Sequence, residues 1–576
     1  MNENRNMILA IVLSALVLLG WTFLSDRMMP AAAPQTQKVE NGKVKPAQAT
    51  QAAPAAQTPP KMQSRAQALA GSPRVQVKTA SLQGSINLKG ARFDDLVLLK
   101  QRTTIDPNSP PVRLLSPAGA PGAYFASFGW TGQGLQVPGP DTQWTSTSPV
   151  LEPGKPVTLS WTNPTGQTFR QLISVDEDYL FTIRQAVTNG GAAPVAVRPF
   201  GYINRADKSP DPSRRIPLLG ETMHIGPIGF LDGAADYGVI WDDLDKGQVK
   251  RFTSDGGWLG FTDKYWLTAL APVGTPRLSA SFTGTPSGGY QTDYAEAQQV
   301  VPTGATLQTD TRLFAGAKEK TVLDRYEDAG IPKLSKSIDW GWFEWFMRPI
   351  FDLLVFLFHA TGNFGVAIIG LTIVVRLIMF PVAQKQFKSM AAMRKIQPKL
   401  KAIQERYKED KPRLQQEMLK LYQQEKINPA AGCLPILLQI PVFYALYKVL
   451  MVSVEMRHQP FVLWIKDLSA PDPLTPVNLF GLLHFTPPGL LHLGVLPILL
   501  GITMWLQFKL NPQQMDPTQQ QIFGLMPWVM MFILAPFAVG LVLYWVTSNI
   551  LTILQQWWLY RRFGLHLSDT HPVPIQ

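Results

Sequence analysis

Asn363-Phe364-Gly365-Val366-Ala367-Ile368-Ile369-Gly370-Leu371-Thr372-Ile373-Val374-Val375-Arg376-Leu377-Ile378-Met379-Phe380-Pro381 is the stretch on which the fold turns. It is apolar over about the 20 residues a bilayer-spanning helix needs, and Arg376 is its only charge. An arginine at that depth costs about 2.5–3.5 kcal/mol on insertion scales, so it faces a partner, a cavity or water. Thr372 lies one turn earlier on the same helix face. The alternative is a stem that snorkels to the interface. Ala383 is seven residues further on, which is ~10 Å at the helical rise and a long reach.

Residues 384–431 hold twelve Lys/Arg against five acids, a net +7. Positive-inside bias places them in the cytoplasm and makes the Arg376 span (361–383) run inward. Met393, Ile396, Leu400, Ile403 and Tyr407 repeat at helical spacing, and Leu414, Met418 and Leu421 mirror them after a break at 409–412. That pattern predicts a short antiparallel helical hairpin. Arg394, Lys395, Lys399 and Arg406 are its candidate recruitment surface. Charge alone does not separate a solvated face from one that meets headgroups, ribosomal RNA or a targeting factor.

Residues 432–454 form the next expected span, with Gln439 in its first half, Pro435 and Pro441 to distort it, and Lys448 expected to snorkel near its outer end. The outer loop 455–490 carries Phe461-Val462-Leu463-Trp464-Ile465, an interfacial patch. A span over 491–510 and a polar loop over 511–522 follow. The uncharged run 523–560 would make a helix of about 57 Å against an apolar core of about 30 Å. Pro536 and Gly540 sit near its middle, and splitting it into spans 523–537 and 538–560 returns Arg561-Arg562 and the tail 561–576 to the cytoplasm. Tyr544, Ser548, Thr552 and Gln555 form a polar stripe on the last span. Such a stripe faces other helices or a wet cavity, and gluing helices together explains it as well as binding does.

Upstream, 18 uncharged residues (7–24) within segment 1–29 read as an uncleaved anchor with its N-terminus inside; Ala31-Ala32-Ala33 leaves a cleaved signal open. Residues 30–73 are mostly Ala, Pro, Gln, Thr and Lys, a tether without a core of its own. Residues 74–330 alternate apolar and polar positions, as in Val75-Gln76-Val77 and in Tyr179, Phe181 and Ile183, with Gly-rich breaks at 132–134, 256–257 and 287–289. This predicts a large antiparallel β-sandwich. Its only histidine is His224, so paired acid–base chemistry there has little to work with. Trp340, Trp342, Phe343, Trp345 and Phe346 suggest an interfacial amphipathic helix within 331–360, over about 339–346.

The whole composition agrees with a membrane protein: 46% of the 576 residues are hydrophobic and 16% charged, against about 25% charged in soluble domains. The net charge of +12 is concentrated beside apolar runs, which points to membrane orientation before nucleic acid. Cys433 is the only cysteine, so no internal disulfide forms, and no Cys–His cluster has metal spacing. No nucleotide-binding loop and no set of intramembrane acids is present. The reading is therefore of no cofactor and no enzyme, with a cationic polar site formed by Thr372, Arg376, Gln439 and the Tyr544 stripe.

Val375-Arg376-Leu377-Ile378-Met379-Phe380-Pro381, Ile427-Asn428-Pro429, Gly432-Cys433-Leu434-Pro435-Ile436-Leu437-Leu438-Gln439-Ile440-Pro441 and Gly540-Leu541-Val542-Leu543-Tyr544-Trp545 together resemble YidC-type membrane protein insertases. Gly260-Phe261-Thr262-Asp263-Lys264-Tyr265 resembles their Gram-negative branch. The resemblance covers nearly the whole chain except the tether. It implies a multi-pass α-helical membrane protein with six transmembrane helices: a five-helix insertase core and an N-terminal anchor. It also implies a periplasmic all-β supersandwich similar to galactose mutarotases.

The implied activity is insertion and chaperoning of nascent inner-membrane proteins, alone or with the Sec translocon. The implied partners are the substrates, the translocon, a ribosome or targeting factor, and lipids. By position, Arg376 matches a groove arginine thought to attract acidic substrate segments, and Tyr544 and Trp545 match a substrate-contacting aromatic pair. Trp545 stands where a second tyrosine is commoner, so it brings no hydroxyl. Phe443, Ser548 and Thr552 complete the expected groove set. Two rival classes remain: a small-anion transporter using the same arginine, for which no inverted repeat is visible, and a binding scaffold centred on the β domain.

Overall fold

The structure is a computed structural model describing residues 62–562 apart from 211–214, 217–219, 222, 286–287, 342, 409, 426–433, 481, 484–492 and 511–516. The expected anchor and residues 30–61 of the tether lie outside the described residues. The end of the expected tether is not structureless: Arg65–Ala70 is a helix capped by Ser64, with Ala68 buried and Arg65 paired to Asp95 of the β unit. The chain divides into two compact units, Met1–Asp339 and Trp340–Gln576.

In the first unit, alternation of side chains builds the sheets. Along Leu180–Asn189, Phe181, Ile183, Gln185 and Val187 turn inward. That strand pairs antiparallel with Gln167–Val175 and Thr306–Ala317, and Ile183 lies opposite Ile173 and Thr311. Among the described residues, sheets of eleven and nine strands result, plus a two-stranded ribbon, and their pairing is antiparallel except where Arg74–Lys78 meets Val150–Leu151. Phe93 from the larger sheet meets Phe181 from the smaller edge-on at 5.4 Å, and Trp130 meets Phe169 at 5.2 Å. Two buried amides also cross the sandwich: Gln171 Nε2 donates to the Phe128 carbonyl (3.0 Å) and Gln185 Nε2 to that of Gly129 (2.9 Å). The break at 256–257 is a turn in which Gly256 and Gly257 both have positive φ, a conformation glycine adopts without steric cost. Among the described residues, three short helices accompany the sheets: α1 (Arg65–Ala70), α2 (Trp241–Asp245) and α3 (Lys320–Asp328).

Residues 331–339 are not part of the interfacial helix expected over 331–360. They pack into the β unit, with a 3-10 turn at Leu334–Ser337. Side chains of that unit hold their backbone: Trp258 Nε1 donates to Pro332 O (2.9 Å), Tyr237 OH to Lys336 O (2.6 Å) and Lys318 Nζ to Ser337 O (3.4 Å). Carbonyls held this way, with Gly341 at φ 72°, delay the helix. It begins at Glu344 and runs to Thr361 as α4, closed by Gly362 in the left-handed region.

The second unit continues with α5 (Phe364–Lys395), α6 (Gln397–Arg406), α7 (Lys411–Gln424), α8 (Leu434–Val452), α9 (Val495–Leu510), α10 (Pro517–Leu534) and α11 (Val539–Arg562). Among the described residues, Phe364–Lys385 is the one helical stretch long and apolar enough by itself to cross a membrane; 439–452, 495–510 and 524–534 are shorter apolar stretches. The long uncharged run is broken at 535–538, where Pro536 cannot continue α10. In the hairpin, Ile396, Leu400 and Leu421 form a buried cluster with Ile403, Met418 and Tyr422 against it. Asp410 caps α7 by accepting from Arg413 N–H (3.1 Å). Lys448, expected to snorkel, is 2% exposed.

The loop between α8 and α9 is built around Asp472, which accepts from Trp464 Nε1 (3.0 Å), Leu474 N–H (3.1 Å) and Leu496 N–H (2.8 Å). Its carbonyls at Leu468 and Ala470 accept from the N–H groups of Gly540 (3.0 Å) and Val539 (2.8 Å). The start of α11 thereby gains partners that a helix N-terminus otherwise lacks.

Candidate functional site

Three helices converge on α11. Arg376 on α5 donates from Nη2 to Ser548 Oγ. One turn earlier on α11, the Tyr544 hydroxyl accepts from Gln439 Nε2 of α8 (2.5 Å). Tyr544 and Ser548 stand at i and i+4 on one face, so successive turns of α11 bind different neighbours. Tyr544 and Ser548 are buried, while Arg376 and Gln439 are partly exposed. Beside them, Phe443 of α8 and Trp545 of α11 meet edge-on at 4.7 Å.

Not every expected residue joins this network. Thr372 Oγ1 donates to its own helix at Ile368 O, and Thr552 Oγ1 to Ser548 O, both at 2.7 Å. Each satisfies its hydroxyl by bonding back one turn. Thr372 is buried, so it supports the α5 side of the cluster without presenting its hydroxyl. Asn549 belongs to the polar network although the stripe did not single it out: its Nδ2 donates to Thr503 Oγ1 of α9 (3.1 Å). Its signal in the sequence is an amide one position beyond Ser548, just off the stripe. Further along, Gln555 Nε2 and Gln556 Oε1 are buried without a hydrogen-bond partner among the described residues.

The electrostatics follow from composition. No Asp or Glu occurs in α5, α8, α9, α10 or α11, so the guanidinium's partner is a neutral hydroxyl. No group of His, Cys, Asp and Glu able to hold a metal ion occurs among the described residues.

On the hairpin, Lys399 and Arg406 are exposed. Lys399 Nζ pairs with Glu425 at 2.6 Å and ties α6 to the end of α7. The side chains of Arg394 and Lys395 lie outside the described residues, as does the whole stretch from Ile427 to Cys433.

The family described as "YidC periplasmic domain" matches residues 74–353, and that described as "60Kd inner membrane protein" matches residues 356–565. The membrane protein insertase YidC of Zymomonas mobilis is 46% identical over 565 residues, covering 97% of this chain and 96% of its own length. That of Rhizobium meliloti is 46% identical over 588 residues, covering 99% and 97%. A solved structure described as an active YidC insertase with its first transmembrane domain resolved covers 85% of this chain and 92% of its own, with 20% identity and a TM-score of 0.37. The two family matches and the relatives' near-complete overlap settle the assignment: this chain belongs to the YidC family of membrane protein insertases, non-enzymatic inner-membrane proteins with a large periplasmic β-sandwich domain and a helical insertase core.

Proposed function

We propose that insertion runs through the polar cluster of α5, α8 and α11, and that Arg376 is its anchor for acidic or polar segments of nascent membrane proteins. The observation that carries this reading is the arginine's neutral partner. A carboxylate displacing Ser548 Oγ gains a charge-assisted hydrogen bond and breaks no ion pair. Arginine suits the role because it stays charged in a poor dielectric.

In this mechanism a hydrophilic segment enters from the cytoplasm. Arg376, Ser548, Gln439 and Tyr544 substitute for water along part of its crossing. The adjoining apolar segment leaves between α5 and α11, past Phe443 and Trp545, and its transfer into lipid supplies the drive. Six spans with both termini inside, the first among residues 1–29, complete the topology. The exposed cations of the α6–α7 hairpin, Lys399 and Arg406 with Arg394 and Lys395, recruit a ribosome or targeting factor. The Sec translocon is a further partner, and chaperoning of substrate folding a further activity. The β unit acts as a supersandwich scaffold.

The test is insertion of a short single-span substrate with an acidic tail into proteoliposomes containing this protein alone, scored by protease protection of the tail. Wild type and Arg376→Lys insert, and Arg376→Ala does not. Equal insertion by all three overturns the anchor role. No insertion by wild type moves the activity to an obligatory partner.

A further inference from the structure

α9 and α11 end together. Asn549 Nδ2 donates to Thr503 Oγ1 (3.1 Å), and eleven residues later the Tyr560 hydroxyl donates to Leu510 O (3.2 Å). Both contacts advance in the same chain sense, so the helices are parallel neighbours whose C-termini meet. Each carries an exposed apolar stripe: Leu499, Ile502, Trp505 and Leu506 on α9, and Ile550, Leu554, Trp557 and Trp558 on α11. The spacings are helical, so each stripe is one face.

Both stripes finish in the same way. Lys509 Nζ lies 5.0 Å from the Trp505 ring centroid, the Arg561 guanidinium 4.0 Å from Trp557, and that of Arg562 5.0 Å from Trp558. Each is an i, i+4 pair with the cation one turn beyond an indole. All three cations are exposed, and none has an ion-pair partner among the described residues. Their position at two convergent helix C-termini is itself favourable, because cations complement the negative ends of the helix dipoles.

We infer that Lys509, Arg561 and Arg562 form a headgroup site for an anionic phospholipid in the leaflet where α9 and α11 end. The stripes fix the depth. An apolar face exposed on a membrane helix meets acyl chains, its tryptophans mark the boundary, and a charge one turn further, about 5.4 Å along the axis, lies at the phosphate level. The indoles hold the cations against the helix surface by cation–π contact, which directs the charge along the lipid-facing side. A soluble polyanion such as ribosomal RNA needs the charge presented away from the bilayer, so the stripe geometry favours lipid. This inference is independent of the Arg376 mechanism and requires only that α9 and α11 lie in the membrane.

The experiment uses full-length protein in nanodiscs of phosphatidylcholine with a minority of phosphatidylglycerol. Lipids co-released with the protein are counted by native mass spectrometry for wild type, K509Q/R561Q/R562Q and the charge-keeping K509R/R561K/R562K. K78Q/K246Q/R251Q, three exposed cations of the β unit, is the control for general loss of charge. The glutamine triple lowers the retention of phosphatidylglycerol over phosphatidylcholine by about tenfold or more, while the charge-keeping triple and the β-unit triple match wild type. Unchanged retention in the glutamine triple overturns the site. Loss of retention in the β-unit triple to the same degree also overturns it, since the effect is then one of net charge. Displacement of phosphatidylglycerol by millimolar inorganic phosphate assigns the cations to a free anion and overturns the lipid assignment. Loss of ribosome binding with lipid retention intact overturns it in favour of nucleic acid.

Discussion

The ring of Phe461 occupies the place where a side chain on Gly365 would stand: a Cβ there would lie 2.0 Å from Phe461 Cδ2. The ring cannot simply move aside. Asn363 Nδ2 holds the Phe461 carbonyl (3.0 Å), and the Phe461 N–H donates to Ile465 O (2.9 Å). Gly365 is therefore the point at which the α8–α9 loop docks on the start of α5. Gly365→Ala is expected to cost about 1–3 kcal/mol through overpacking. Trimming the ring in Gly365→Ala/Phe461→Ala should recover part of the thermal midpoint lost by the single glycine variant in detergent. A double variant worse than either single would refute the docking.

A second outcome concerns the link between Gln439 and Tyr544. Tyr544→Phe leaves the Gln439 amide without its acceptor, at a cost of about 1–3 kcal/mol. Gln439→Leu with Tyr544→Phe removes both partners and should sit nearer wild type than the tyrosine variant alone. The coupling energy from a thermal-stability double-mutant cycle checks this, and additivity would dissolve the pair.

The β unit contains a pH-dependent element. Burial pushes the Glu296 carboxyl above its ordinary value of 4.5, against the opposing hydrogen bond from Thr309. The folded state therefore holds this proton to higher pH than the unfolded chain does. The stability linked to it is present below pH 4.5 and is lost as pH rises through the folded value. Glu296→Gln keeps an acceptor for Thr309 and removes the charge. It should raise the midpoint of the β unit's transition at pH 8 by about 2 °C or more, and leave it unchanged below pH 4.5. An equal gain at both pH values would rule out titration as the cause.

The hairpin's small core makes it locally fragile. Leu400 is buried among Ile396 and Leu421, and Leu400→Ala should cost about 2 kcal/mol or more in a cluster that has few other contacts. Limited proteolysis should then cut within 396–424 several-fold faster, with α9 and α11 still protected. Protection equal to wild type would show that the hairpin draws its stability from elsewhere.

Much of this architecture was legible because its signals are local. Alternation at Phe181, Ile183 and Val187 declares a strand, and the mirrored Ile396–Leu400 and Met418–Leu421 spacings declare a hairpin. The Tyr544–Ser548 stripe declares a contact face. What stayed hidden was pairing at a distance. Arg376 and Ser548 are 172 positions apart, and periodicity places each on a face without naming the partner. Residues 331–339 follow the same rule: the aromatics that suggest an interface begin only at Trp340, while the bonds that hold the segment come from Tyr237, Trp258 and Lys318. Lys448 was read by its charge and its position near a span end, yet it packs inside, because burial depends on neighbouring helices that a single run of sequence does not contain.

If Arg376 is the anchor proposed above, the hydroxyl beside it would also set how long a visitor stays. An arginine locked to an aspartate would have to break an ion pair before it could bind at all. With Ser548 Oγ as the standing partner, arrival would displace one hydrogen bond and no ion pair, and departure would cost only the bond that the visitor itself had made. Dwell time would then be governed by the passing segment and its pull into lipid.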